Sequence, residues 1–218
     1  MVEPGRTYLP AAGHPWSLPL YDPLVKLLGG DAVRAALLDQ AVVRPGHRVL
    51  DMGCGTGSLV VLIKRQYPEV DVVGLDPDPR ALARARRKGQ RAALSIQLNR
   101  GFSDALPYPE GSFDRVFSSF MFHHLEAAEQ EKTLREVRRV LKPGAAFHML
   151  DFARPDSKSA GRLTRLLHSS HRLKGNSDER ILSLMSQAGL SDARRRGARR
   201  LLVGHVAYYQ ASVSSRKP

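Results

Sequence analysis

The chain has 218 residues, 42% of them hydrophobic, a single cysteine and a formal net charge of +13. That length suits one domain with a proper core rather than two full domains and a linker, and one cysteine excludes an internal disulfide or a cysteine-based zinc cluster. The longest apolar run, LVVLI from Leu59, falls far short of the roughly 20 residues a membrane span needs, and MVEPGRTYLP lacks the regions of a secretory signal, so a cytoplasmic protein is expected.

Residues 1 to 30 crowd proline and aromatic side chains (Tyr8, Pro10, His14, Pro15, Trp16, Pro19, Tyr21, Pro23) and read as an irregular, lid-like arm leading into a short helix. Residues 31–218 are expected to form one domain, with a cofactor half over 45–125 and a substrate half over 126–218. From 47 to 152, short β-rich runs alternate with helical stretches, the pattern of a parallel sheet wrapped by helices. Strands are predicted at His47–Asp51, Asp71–Asp76, Leu94–Asn99, Phe113–Phe117 and Ala146–Asp151, and helices at Ser58–Gln66, Pro79–Lys88 and Ala128–Leu141.

The punctuation agrees: Pro45-Gly46 precedes the first strand, Tyr67-Pro68 stops the first helix, and Asp78-Pro79 supplies an N-cap with proline at the first helical position. Lys142-Pro143-Gly144 is expected to end the last crossover helix. Beyond 152, a loop-rich stretch contains a helical piece near 162–168, Asp178–Ala188 reads as a helix stopped at Gly189, and Arg199–Val203 with His205–Ser212 reads as a closing strand pair.

The chemistry begins in Val49-Leu50-Asp51-Met52-Gly53-Cys54-Gly55-Thr56-Gly57-Ser58-Leu59. Glycines at the end of a first strand and the start of a helix let a ligand approach the backbone, as in nucleotide sites. Their G-x-G-x-G spacing departs from the G-x-G-x-x-G of dinucleotide binders, and no P-loop lysine follows. A second strand, Val72-Val73-Gly74-Leu75-Asp76, ends in an acid 19 residues beyond Gly57, the distance at which a carboxylate reaches ribose hydroxyls. Asp76 as a helix cap is the plainer alternative, but Asp78 is better placed for that.

In VLDMGCGTGSL, VVGLDPDPRALARAR, ALPYPEGSFDRVFSSFMFHHL and LREVRRVLKPGAAFHMLDF, in that order over about residues 45–152, the chain resembles the class I S-adenosylmethionine-dependent methyltransferases. The wording is most similar to the small-molecule branch that includes the ubiquinone and menaquinone biosynthesis C-methyltransferases. The resemblance implies a Rossmann-like α/β fold, doubly wound, with a seven-stranded, mostly parallel sheet whose last strand is antiparallel. It implies S-adenosylmethionine as cofactor, with the backbone of Gly53, Cys54 and Gly55 under its methionine part, Gly57 also among the cofactor-binding residues, Asp51 on its ammonium, Asp76 on its ribose and Pro77 flanking adenine. The family's adenine-amine acid falls at Phe102 when aligned on Leu106-Pro107; Asp104 is the substitute two residues later, with Ser103 between them, and Phe102 either stacks on the ring or packs in the core. Ser119 joins the cofactor side by the same resemblance.

A methyl acceptor must lose a proton, and histidine is the natural base. His123 and His124 follow the fourth strand, where the family builds the wall between cofactor and substrate. Adjacent residues point differently, so one is structural; packing and general-base roles both stand. His14, His148 and Asp151 are further candidates, while His168 and His171 form no metal site.

The expected function is methyl transfer to carbon or oxygen of a small acceptor, aromatic or quinone-like. RNA modification, or cofactor binding without catalysis, are the alternatives. The basic groups Arg84/Arg86/Arg87/Lys88/Arg91, Arg135/Arg138/Arg139/Lys142 and Arg194/Arg195/Arg196/Arg199/Arg200 are expected mostly on solvated helix faces. Nucleic acid is therefore the less favoured partner. A homodimer is compatible with the sequence, which sets no oligomeric state.

Overall fold

Val49-Leu50 and Val72-Val73 are unbroken apolar pairs, the composition of strands covered on both faces. In the computed structural model, which describes residues 29–153, 177–201 and 204–215, they lie in the central strands of a seven-stranded sheet. The chain runs α1 (Gly30–Asp39), β1 (Arg48–Met52), α2 (Ser58–Gln66), β2 (Asp71–Asp76), α3 (Pro79–Arg91), β3 (Gln97–Arg100) and β4 (Phe113–Ser119). A 3-10 turn (Phe122–His124), α4 (Ala127–Val140), β5 (Leu141–Ala153), α5 (Asp178–Gln187), β6 (Ser191–Leu201) and β7 (Gly204–Ser212) follow.

The period-two alternation of the strands divides the core between the two faces. Leu50, Met52, Val73, Phe147 and Met149 pack with Leu134, Val137 and Val140 of α4 and Ile181 and Met185 of α5. Val49, Val72, Phe117 and Leu150 face the other way, onto Val33, Leu37 and Leu38 of α1 and Leu59, Val60 and Ile63 of α2. The strand order is β3-β2-β1-β4-β5-β7-β6, with β1 to β5 parallel and β7 antiparallel to both neighbours. Successive connections run outward from β1 toward β3 on one side and from β4 toward β5 on the other. The reversal falls between β1 and β4, and a crevice opens at their carboxyl ends.

Three elements differ from expectation. β3 begins at Gln97 because residues 92–94 complete the end of α3: Ala93 adopts φ 53° and the Leu94 amide donates to Gly89 O at 3.0 Å. Lys142-Pro143-Gly144 does not follow the helix as a stop but lies inside β5, where the register jumps between Phe113↔Leu141 and Arg115↔Ala146. Gly144 turns there at φ 77°, its amide bonded to Val213 O.

The third basic group is not helical. Arg194 to Arg200 belong to β6, which starts at Ser191, because α5 is stopped by Gly189 at φ 81° and an edge strand needs no apolar alternation on its open side. The first two basic groups do lie on or just beyond helices, α3 and α4. The arm over 1–28 with His14, the helical piece near 162–168, His168, His171, Leu202 and Val203 lie outside the described residues. Among the described residues no helix is long and apolar enough to cross a membrane, and no histidine, cysteine or carboxylate cluster suits a metal.

Candidate active site

β1 delivers its last residues into a turn that only glycine tolerates: Gly53, Gly55 and Gly57 have φ of 74°, 53° and 77°. Two of these glycines also make room for the protein's own side chains. A Cβ on Gly53 would overlap Met121, and one on Gly57 would stand 2.8 Å from Ala85 Cβ of α3. The bare backbone at Gly53 therefore lets the turn after β4 close against the turn after β1.

The amides of this loop are spent internally. Gly53 and Cys54 both donate to Leu75 O, at 2.8 and 3.0 Å, Gly57 donates to Cys54 O at 2.9 Å, and Gly55 donates to Asp76 Oδ2 at 2.8 Å. A pyrophosphate cradle would present such groups outward, so the loop suits a ligand without phosphate. Cys54 turns its buried side chain inward, where a Cβ on Gly74 would meet its sulfur at 2.9 Å, and burial holds its thiol well above the usual range.

Asp76 closes β2 and stays inside the protein, 8% exposed. Its Oδ2 takes the Gly55 amide and its Oδ1 the Asp78 amide at 2.9 Å. Burial raises its carboxyl to about 6 even though both amides favour the ionised form. The capping of α3 falls to Asp78, which accepts from the Arg80 amide at 2.8 Å behind Pro79.

Asp51, next to last in β1, is 1% exposed, and neither carboxylate oxygen has a hydrogen-bond partner. Desolvation lifts it to about 7, opposed by the charge of Arg34 and reinforced by that of Asp76. A buried acid with both oxygens unsatisfied is costly unless a donor arrives from outside. Arg34 is itself buried on α1 and donates from Nε to Ser119 Oγ at 3.3 Å. It had no assigned role in the sequence, although the pattern flags it: it interrupts a buried stripe of Val33, Leu37, Leu38 and Ala41.

The loop after β3 carries Phe102, Ser103 and Asp104, all half-buried. It is fastened to α4 through Ser103 Oγ and Thr133 Oγ1 at 2.9 Å and through the Leu106 amide on Glu136 at 2.7 Å. Pro77 sits at the matching end of β2, and its carbonyl accepts from Arg100 Nε at 3.2 Å.

After β4 the chain bends at Phe120, a non-glycine residue at φ 57°, and enters the turn that holds both histidines. His123 Nδ1 lies 2.6 Å from Asp151 Oδ1, and the His123 amide donates to Asp151 Oδ2 at 3.0 Å. Asp151 is fully buried at the end of β5 and also accepts from the Phe152 amide at 2.7 Å. The His124 ring lies 4.0 Å from that of His123. Gln130 of α4 bonds the carbonyls of Phe122 and Leu125 and is held in turn by Arg180 of α5, so the turn is fixed from two helices. His148 is apart from this group: it stacks on Phe117 on the α1 face, and desolvation lowers it to about 3.

Apart from His148 and Asp151 of β5, and His14 outside the described residues, the sequence-predicted site residues lie at the carboxyl ends of β1, β2, β3 and β4 or in the turns that follow them. Residues 49–144 match the family model described as a methyltransferase domain. The chain is 38% identical over 151 residues to the demethylmenaquinone methyltransferase of Thermus thermophilus, a match covering 68% of each chain. It belongs to the S-adenosylmethionine-dependent methyltransferases.

The demethylmenaquinone methyltransferase of Deinococcus radiodurans is also 38% identical, over 68% of this chain and 62% of its own length. A solved S-adenosylmethionine-dependent methyltransferase from Aquifex aeolicus shares the fold, with a TM-score of 0.64 at 19% identity over 82% of this chain and 88% of the other. The cofactor of this methyltransferase is S-adenosylmethionine, and the residues present fit it. The molecule carries an ammonium, two ribose hydroxyls and no phosphate; Asp51 offers two buried, unsatisfied acceptors, Asp76 a second sheltered carboxylate, and the glycine turn no free phosphate cradle.

Proposed function

We propose that this methyltransferase methylates a small aromatic or quinone-like acceptor, at carbon or oxygen, with His123 as general base. When bound, S-adenosylmethionine supplies a methyl group already activated by its sulfonium, so the protein has chiefly to align, exclude water and move one proton. Asp51 would hold the ammonium, Asp76 the ribose hydroxyls, and the turn of Gly53, Cys54, Gly55 and Gly57 the floor. Pro77, Phe102 and Asp104 would border the adenine, with Ser103 tethering their loop. Ser119 and His124 would complete the wall toward the acceptor.

The observation that carries the chemistry is the contact between His123 and Asp151. Donation from Nδ1 to a buried carboxylate fixes the tautomer and leaves Nε2 as the nitrogen that accepts a proton. Asp151 would position the ring and offset the charge of the imidazolium as the acceptor's hydroxyl or ring proton leaves. Support for the acceptor class comes from the two relatives named for demethylmenaquinone and from the small-molecule branch that the motifs resemble.

The test is methyl transfer to a naphthoquinol panel, followed by kcat and cofactor affinity in His123→Ala and Asp151→Asn. His123→Ala should lower kcat by roughly 100-fold or more with cofactor affinity retained. Asp151→Asn should lower kcat and move its pH profile. Full kcat in His123→Ala would return His123 to packing, and methylation of RNA with no quinol accepted would overturn the acceptor class.

A further inference from the structure

Charge is divided unevenly between the two helical layers. Helices α1, α2 and α3, which cover one face of the sheet, carry nine basic and two acidic residues; α4 and α5, which cover the other, carry five of each. The excess is concentrated in α3, where six of its 13 residues are basic and none is acidic. Ala81, Leu82, Ala85 and Gly89 form the buried side of that helix. At about 3.6 residues per turn, Arg80, Arg84, Arg87 and Arg91 fall within roughly 60° of one another on the opposite side, in a row roughly 16 Å long.

Elsewhere on the surface an arginine is answered by a neighbouring acid, as Arg135 is by Glu131 on α4 and Arg48 by Asp71. None of the four in this row makes an ion pair among the described residues. Lys88, on the flank of the row, turns aside to the hydroxyls of Thr56 and Ser58 at 3.3 and 2.9 Å. Spaced three and four residues apart, like charges weaken the helix they stand on. An external anion lying along the row would remove that cost.

We infer that this face docks on an anionic lipid surface, with Arg80, Arg84, Arg87 and Arg91 against the lipid phosphates. The inference rests on the reading of the acceptor as quinone-like, since such a molecule partitions into lipid and the enzyme then meets it there. Nucleic acid is the other extended polyanion, but a single strand is held by stacking its bases on aromatic side chains, and neither α2 nor α3 contains one. A lipid surface asks only for charge. The row carries no apolar wedge either, since Val42 is the only large hydrophobic side chain exposed among the described residues. The contact is therefore electrostatic and weakens with salt.

The experiment is co-sedimentation with vesicles of phosphatidylglycerol and phosphatidylcholine, roughly 3:7, at about 0.1 M salt and with no acceptor present. The parent should bind these vesicles, ignore neutral vesicles of phosphatidylcholine, and be released as salt rises. The variant Arg80→Gln, Arg84→Gln, Arg87→Gln, Arg91→Gln should bind roughly 100-fold more weakly while holding S-adenosylhomocysteine as the parent does. The same four positions changed to Lys should keep the vesicle affinity within a few-fold, as should Lys132→Gln, Arg135→Gln, Arg138→Gln on α4. A parent that stays off anionic vesicles, an unchanged affinity in the glutamine variant, or an equal loss from the α4 changes would overturn the inference. RNA bound more tightly than vesicles and lost in the glutamine variant would overturn it too and give the face to nucleic acid. Failure of the parent to methylate any quinol in solution would sink the acceptor reading instead, a result separate from vesicle binding.

Discussion

A carboxylate oxygen offers two lone pairs, and at Asp76 each oxygen gives one to a backbone amide, Gly55 on one side and Asp78 on the other. One on each remains for the ribose, so the same carboxylate would shape the glycine turn and grip the sugar. Asp76→Asn should disturb both, because its NH2 group must face one of those amides. The expected loss of S-adenosylhomocysteine affinity is roughly 10- to 150-fold, one charge-assisted bond or its equivalent, read by calorimetry. Unchanged affinity would mean that the acid serves the turn alone.

Gly53 carries a different constraint. At φ 74° an alanine costs about 1–2 kcal/mol in backbone strain alone, and its Cβ would also overlap Met121. Gly53→Ala should therefore destabilise the fold beyond the strain cost. Combined with Met121→Ala it should cost less than the two single changes added together, because the overlap is relieved. Strict additivity in denaturant titrations would show that Met121 is not what holds that position bare.

At the scale of elements, β6 is where sequence patterning was least informative. Helices α2, α3 and α4 were legible because apolar stripes and caps act locally: Asp78-Pro79 opens α3 whatever surrounds it. β6 carries Arg194, Arg196, Arg199 and Arg200 exposed at the end of the sheet, with Arg195 paired to Asp178 of α5 at 2.9 Å. Burial alternates there only as far as Arg196 and with little apolar contrast to mark it, since the strand's pairing comes from β7 and its outer rim faces water.

Positive charge on such a rim keeps an open strand edge from pairing with another chain. The triple variant Arg194→Thr, Arg196→Thr, Arg199→Thr should bind S-adenosylhomocysteine as the parent does and self-associate more, seen by light scattering. A variant as monodisperse as the parent would free these arginines for another role, such as holding an anionic partner, and salt-dependent RNA binding would then report it.

For the molecule as a whole, short-range spacing was enough to set the glycine turn beside Asp76 but not to assemble the groups around His123. Gly53, Gly55, Gly57 and Asp76 lie within one strand-turn-helix-strand run, so spacing alone places them together. The partners of the other groups come from distant elements: Asp151 meets His123 only because β5 lies beside β4, and Arg34 meets Ser119 only because α1 packs over the crevice. Contacts of that kind depend on strand order, which short-range patterns do not encode.

The assembled site also sets how the whole molecule responds to pH. Asp51 moves from an ordinary 3.8 in the unfolded chain to about 7 in the fold, chiefly by desolvation. Between those values the folded chain retains a proton that the unfolded chain has released. This contribution to stability is therefore fully present below about 4, falls as pH rises, and is lost above about 7, a difference of roughly 4 kcal/mol. Glu136, held low by its bond to Arg139, works in the opposite direction at more acid pH, so the comparison that isolates Asp51 is with Asp51→Asn.

A ligand ammonium favours the ionised acid, so S-adenosylhomocysteine should bind with proton release below pH 7, and its affinity should rise to about that pH and then level. Thermal melts at pH 5, 6, 7 and 8 should accordingly show the ligand-induced rise in Tm growing across the series in the parent and growing less in Asp51→Asn, where Asp76, raised to about 6, still titrates in that window. A rise equal at pH 5 and pH 8 in the parent would mean that the cofactor's charge is met elsewhere than at Asp51.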